Sequence, residues 1–384
     1  MSGRDLRFGP AMLGSAMTWP DRRILDLFNI RLPMVQAPMA NFGTVEMAVG
    51  AGQAGALASL PCASLSPDQI RQGVASIREA NAGPLNLNFF CHKPPAVNEE
   101  REAAWRARLL PYYRELDLDP QTQAMGAGRK PFDEAGSALV EELRPEVASF
   151  HFGLPDEDLL NRVKATGAKI ISSATTVAEA RWLEEHGADA VIAMGAEAGG
   201  HRGNFLSHDM ARQVGTFALV PQIVDAVRVP VIAAGGIADG RGIAAALALG
   251  ASAVQIGTAY LFCSEAKVSA PHRAALAEAR DEDTEITNLF TGRPARGIVN
   301  RLMHELGPLS PDLPAFPLAA GALAPLKTKA EAEGAGDFSN LWSGQAARLT
   351  SRLASRLARP MSARELTLHL AEDAQACLAR LAKS

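Results

Sequence analysis

Residues 230–242 read PVIAAGGIADGRG and residues 253–260 read AVQIGTAY. Each begins as a near-continuous apolar run, the pattern of a parallel strand covered on both faces. Each run ends in glycine, at Gly235 and Gly236 in the first and at Gly257 in the second. Six earlier runs share this character, at 32–40, 55–61, 84–90, 147–153, 169–174 and 190–196. Helical patterns with legible ends lie between most of them. The stretch 176–187 opens with Thr176 and Glu179 in capping-box spacing and closes on Gly187, and 239–250 closes on Gly250. The shorter intervals between run starts, from 147 to 169 to 190, match one strand–loop–helix–loop unit. Eight such units predict an α/β chain folded as a (β/α)8 TIM barrel. An open, doubly wound sheet is the alternative, because a pattern of runs does not prove closure.

The chain has 384 residues, which exceeds a single barrel of about 250 residues. Two stretches break the repeat and account for the surplus. Residues 91–146 contain a charged helix expected over 99–116 and a Gly-rich turn around 125–128. The tail from 265 holds an amphipathic helix, the prolines Pro308, Pro311, Pro314 and Pro317, and two terminal helices. The expected organisation is therefore a barrel over 24–264, interrupted after its third strand by a mostly helical insertion at 91–146. A helical C-terminal extension over 265–384 packs on it.

With 38 Lys and Arg against 42 Asp and Glu the net charge is −4, which leaves no electrostatic footprint for nucleic acid or an anionic membrane. No apolar run approaches the roughly 20 residues of a membrane span. Residues 11–17 are too short and too interrupted for the core of a secretory signal. The cysteines, Cys62, Cys91, Cys263 and Cys377, are too scattered for a disulfide framework or a zinc motif. A cytoplasmic enzyme, monomer or homodimer, is expected.

Barrel chemistry resides at the C-terminal ends of the strands. Gly235 and Gly236, the following Asp239 to Gly242 at a helix start, and Gln255, Ile256, Gly257 and Thr258 suit a phosphate bound by backbone N–H groups and a helix N-terminus. The sixth run leads into Met194 and GAEAGGHRG, where His201 is a candidate base near neutrality and Glu197 reads as structural. Met39 either lies beneath a planar ring or fills the core. Asn88, an amide in an apolar run, either binds a ligand or ties down backbone. Cys91, His92 and His151 also follow strand ends, but their spacing carries no metal signature, and no metal is expected.

The stretches QAPM (36–39), NLNFF (86–90), GAEAGGHRG (195–203), PVIAAGGIADGRG (230–242) and QIGT (255–258) are joined by TGRPARGIVNR (291–301) and LWSGQ (341–345). From about residue 24 to 349 the chain resembles the FMN-dependent nitronate monooxygenases, formerly called 2-nitropropane dioxygenases. The glycine loops are shared with many flavin barrels; AGGHRG together with QIGT and RPARG is more specific. The resemblance implies a TIM barrel holding non-covalent FMN, its phosphate in the loops after the seventh and eighth strands. It implies FMN contacts from Asn88, Gly199, Gly236, Gln255, Ile256, Gly257 and Thr258, beside Met39 and Gly235 from the reading above. His201 would be the active-site histidine, taking the α-proton of a neutral nitroalkane or, if protonated, binding nitronate oxygens. The implied reaction turns an alkyl nitronate and O2 into a carbonyl compound and nitrite, a detoxification. One position departs: where the family commonly has Gln, this chain has Met194, so a flavin hydrogen bond would be lost there. Arg293 and Arg296, with the insertion, would form pocket wall or surface. The rival on the same barrel is an FMN-dependent NAD(P)H reductase of quinones or enoyl thioesters, although no GxGxxG follows the first strand.

Overall fold

The computed structural model describes residues 18–122, 129–355, 357 and 359–383. Its strands in chain order are β1 (Met34–Gln36), β2 (Ala58–Pro61), β3 (Leu85–Phe90), β4 (Val147–His151), β5 (Lys169–Ala174), β6 (Ala190–Met194), β7 (Gly200–His201), β8 (Val231–Ala234), β9 (Ala253–Ile256), β10 (Thr284–Thr287) and β11 (Ala295–Ile298). The eight apolar runs supply β1 to β6, β8 and β9, which pair in parallel in the order β1-β9-β8-β6-β5-β4-β3-β2. A parallel bridge between Val35 and Leu57 joins the two ends, with Leu57 N–H donating to Met34 O at 2.9 Å and Gln36 N–H to Leu57 O at 3.1 Å. The sheet therefore closes into the expected barrel, and the open-sheet alternative falls. Nearly every strand residue is buried, as the lack of alternation requires. Strands β1, β4, β6, β8 and β9 end earlier than their apolar runs. At Gly257 the backbone leaves the ladder, and Thr258–Phe262 forms a 3-10 turn over the barrel mouth.

Most helix ends follow the local chemistry. Ser66 and Gln69 make a complete capping box, and Gly187 and Gly250 adopt positive φ as helices end. The box read at Thr176 is only half formed. Thr176 accepts the Glu179 N–H at 3.2 Å, but the Glu179 carboxylate is buried and engaged elsewhere. One oxygen accepts from Thr175 N–H and Oγ1; the other takes the N–H groups of Phe205 and Leu206, so it ties two loops together instead.

Both departures from the repeat contribute to the barrel's outer layer. Helix Glu134–Leu143 packs against Pro67–Glu79 and Glu157–Ala165. The last helix, Ala363–Leu381, packs on Val45–Ala54 and Gly240–Ala248. The charged helix spans Glu99–Glu115 and buries Trp105, Leu109, Tyr112 and Tyr113, with Trp105 Nε1 donating to Ala319 O and Tyr113 OH to Ala322 O of helix Ala319–Ala332. The tail also holds β10 and β11, strands that its helical reading left out. They form an antiparallel sheet with β7, pairing Ala295 with His201 and Arg296 with Gly200. Residues 11–17 and the Gly-rich turn at 125–128 lie outside the described residues. No described helix is long and apolar enough to cross a membrane.

Candidate active site

A cleft of about 1300 Å³, including its open mouth, lies over the C-terminal ends of the barrel strands. The loop after β6 builds one wall. At Gly195 a Cβ would sit 1.9 Å from Thr216 Oγ1, so no larger residue fits. Glu197 accepts from Thr216 N–H and Oγ1 at 2.8 Å each and caps helix Thr216–Val224, the structural role read for it. Arg202 is fully buried and donates to Gly195 O, Met194 O and Gln213 Oε1 at 2.8–2.9 Å, which folds the loop back on the end of β6. At Gly199 a Cβ would meet Gly344 N and Ser343 C at 2.5 Å, because the tail backbone presses directly on this turn.

Strand alternation sends Arg202 inward and leaves His201 facing the cleft. His201 Nε2 lies 2.9 Å from Thr291 Oγ1. Its ring stands within 5.2–6.4 Å of the rings of Phe316, Trp342, Phe152 and Phe90. The His201 carbonyl accepts the Nε2–H of His151 at 3.1 Å, leaving His151 Nδ1 to accept from Ser173 Oγ at 3.2 Å. Burial holds His201 well below the usual imidazole range, and the charge of Arg129, then of Arg293, adds to the effect. Burial, then Arg293, likewise takes His151 down to about 3. Both rings are neutral near pH 7.

The other named residues converge here with one exception. Met39, Asn88, Gly199, Gly235, Gly236, Gln255, Gly257 and Thr258 all line the cleft. Ile256 does not: its side chain is buried in the core between sheet and helices, because it points opposite to Gln255, and its carbonyl accepts from Ala37 N–H. Asn88 donates to Ser149 Oγ at 2.9 Å, so its amide ties β3 to β4 while the residue lines the cleft. Met39 lines the cleft and also packs on two apolar clusters. Met194 presents an apolar wall where an amide was the expected residue.

The helix N-terminus expected to receive a phosphate is already occupied. Asp239 Oδ1 accepts from Arg241 N–H and Gly242 N–H, and Asp373 of the last helix accepts from Gly240 N–H at 2.7 Å. Two carboxylates at that end leave no place for a third anion. The groups that remain for an anion are the backbone at Gly235 and Gly236, with φ of 112° and 70°, and at Gly257 and Thr258.

Thr291, Phe316, Trp342 and Arg129 reach the site without having been singled out. Thr291 and Trp342 lie inside the TGRPARG and LWSGQ stretches, which were a usable signal; Phe316 and Arg129 carry no local motif. Arg293 and Arg296 are buried or half-buried and not surface, but neither lines the cleft itself. The Arg293 guanidinium stacks 3.8 Å over the Phe152 ring and donates to Asn204 O. Arg296 ties β11 to the loop after β6 through Ala196 O and to β10 through Thr284.

A family model described as nitronate monooxygenase matches residues 21–373. A nitronate monooxygenase of Pseudomonas aeruginosa is 39% identical over 354 residues, covering 91% of this chain and 98% of its own. One from Paraburkholderia phytofirmans is 37% identical over 363 residues, covering 94% and 97%. Among solved structures, a nitroalkane oxidase from Streptomyces ansochromogenes superposes with a TM-score of 0.82 at 34% identity, covering 94% of this chain and all of that one. FabK from Thermotoga maritima follows at 0.70 and 26%, covering 95% and 99%.

Proposed function

The chain belongs to the nitronate monooxygenase family, a family of oxidoreductases, and we propose that it oxidises alkyl nitronates with O2 to carbonyl compounds and nitrite, using non-covalently bound FMN. Neutral nitroalkanes enter the same reaction after loss of the α-proton. The observation that carries this reading is His201: a neutral imidazole, open to the cleft, oriented by Thr291 and fenced by aromatic rings.

The residues fit a flavin. Gln255 Oε1 is buried with no protein partner and faces the cleft, an acceptor that a ring N–H of the ligand would satisfy. The positive-φ turn at Gly235 and Gly236, with Gly257 and Thr258, would hold the phosphate through backbone N–H groups. Met39, Asn88, Gly199 and Gln255 would border the ring, and Ile256 would contribute main chain alone. When bound, FMN supplies the electron acceptor and the reaction with O2.

The protein's own share is positioning and proton transfer. With its hydroxyl donated to Arg293 O at 3.3 Å, Thr291 accepts the His201 Nε2–H and leaves the Nδ1 lone pair free to take the α-proton. Phe90, Phe152, Phe316 and Trp342 surround the imidazole with apolar surface, which strengthens its interaction with a developing anion. His201→Asn is expected to retain FMN while kcat/KM on a neutral nitroalkane falls about 10²- to 10⁴-fold, with preformed nitronate much less affected. Equal losses on the two forms refute the base role, and absence of nitrite from either substrate with the wild-type holoenzyme refutes the reaction.

A further inference from the structure

The charge that a nitronate brings into this cleft requires a cation, and His201 and His151 do not supply one because both are neutral near pH 7. Arg129, in the insertion, is 7% exposed. Among the described residues, its buried Nε and Nη1 have no hydrogen-bond partner and no carboxylate pairs with it. A buried, unpaired guanidinium is costly, and a fold that keeps one has a use for an anionic partner.

The neighbouring cations are already committed. Arg293 lies flat on Phe152 and donates to Asn204 O; its Nε is also unpartnered, but unlike Arg129 it does not line the cleft. Lys327 donates to Asn340 Oδ1 at 2.8 Å and lies 3.9 Å from Glu331. Arg129 lines the same cleft as His201, and Phe316 bridges them: its ring centroid is 5.9 Å from the Arg129 Cζ and 5.2 Å from the His201 ring. On its other side Arg129 lines a second hollow with Arg106 and Lys130, where Glu102 is the only acidic lining residue among those described. The charge lining that hollow is therefore mostly positive.

We infer that Arg129 is a substrate-positioning residue whose guanidinium holds the nitronate oxygens opposite His201. This rests on the proposed reaction for the identity of the anion. A planar fork of N–H donors matches two oxygens on one atom, which neither His201 nor a lysine does. The residue acts whether the nitronate arrives preformed or is made in place by proton abstraction, and the two routes separate its kinetic signature.

The test compares wild-type holoenzyme with Arg129→Gln, Arg129→Met and Arg129→Lys, on one nitroalkane supplied in neutral and in deprotonated form. For the nitronate, removing the guanidinium raises KM about 10- to 100-fold with kcat little changed. For the neutral form KM holds and kcat falls, and Lys restores part of both. Sodium nitrate serves as a non-reacting planar anion, its binding followed by Trp fluorescence or the flavin spectrum; its Kd weakens about tenfold or more in Arg129→Gln. Unchanged nitronate KM and unchanged nitrate affinity in Gln and Met variants that retain FMN overturn the inference. If the wild type turns over neither substrate form but binds nitrate through Arg129, the anion site stands and the proposed reaction alone falls. Should Gln and Met lose FMN, Arg129→Lys decides: a nitrate affinity equal to wild type contradicts the need for a fork.

Discussion

Arg202 has none of its surface exposed, and its three side-chain hydrogen bonds end on two main-chain carbonyls and the amide of Gln213. Burial lowers its pKa to about 10, which still leaves it cationic at neutral pH. Arg202→Leu strands the Met194 and Gly195 carbonyls, and we expect a loss of about 3 kcal/mol or more in urea unfolding, together with weakened FMN retention as the loop opens. A cost under about 1 kcal/mol contradicts the staple. The place of His201 in the cleft was legible from its motif, since a histidine between glycines at a strand end sits where barrel sites are built. Arg202, its neighbour, was not, because the direction of a side chain depends on pairing with β11, which no local pattern records. Arg129 was silent for the same reason: its significance comes from what the fold withholds from it, a partner, and not from its neighbours in sequence.

At the scale of elements, apolar runs and capping residues marked the barrel strands and most helices, because burial on both faces and unsatisfied N–H groups leave local traces. The exceptions are places where a tertiary partner displaced a local one. Glu179 abandons its capping box for the Phe205 loop. The glycines at 239–242 read as a phosphate loop, yet Gly240 is there for packing: a Cβ would meet Asp373 C at 2.3 Å and Ala374 N at 2.4 Å on the last helix. Gly240→Ala therefore forces backbone from backbone. It is expected to lower stability by about 1–3 kcal/mol and to make the C-terminal helix more sensitive to protease, read by thermal unfolding and limited proteolysis. An unchanged melting temperature contradicts the close helix contact. The strands β10 and β11 went unread because TEIT and ARGI are not continuous apolar runs like the barrel strands, and β11 pairs with a two-residue strand in a loop.

Over the whole molecule, the residues beyond the repeat do not form an appendage. The tail closes the helical layer with Ala363–Leu381 and sends Thr291, Phe316 and Trp342 to His201, so the barrel alone has no complete site. The net charge of −4 is equally uninformative about the site, where Arg129 lines the cleft and Arg202 and Arg293 stand near its neutral histidines. Barrel class was legible from the eight runs; closure and the tail's share in the site were not, since both are long-range. The proposed reaction makes the bound flavin an acceptor of electrons from a nitronate and not from a nicotinamide. Anaerobic mixing of the purified holoenzyme, first with NADH and separately with an alkyl nitronate, reads this directly in the visible flavin absorbance. The account predicts bleaching by the nitronate and none by NADH. Bleaching by NADH with no response to the nitronate contradicts it.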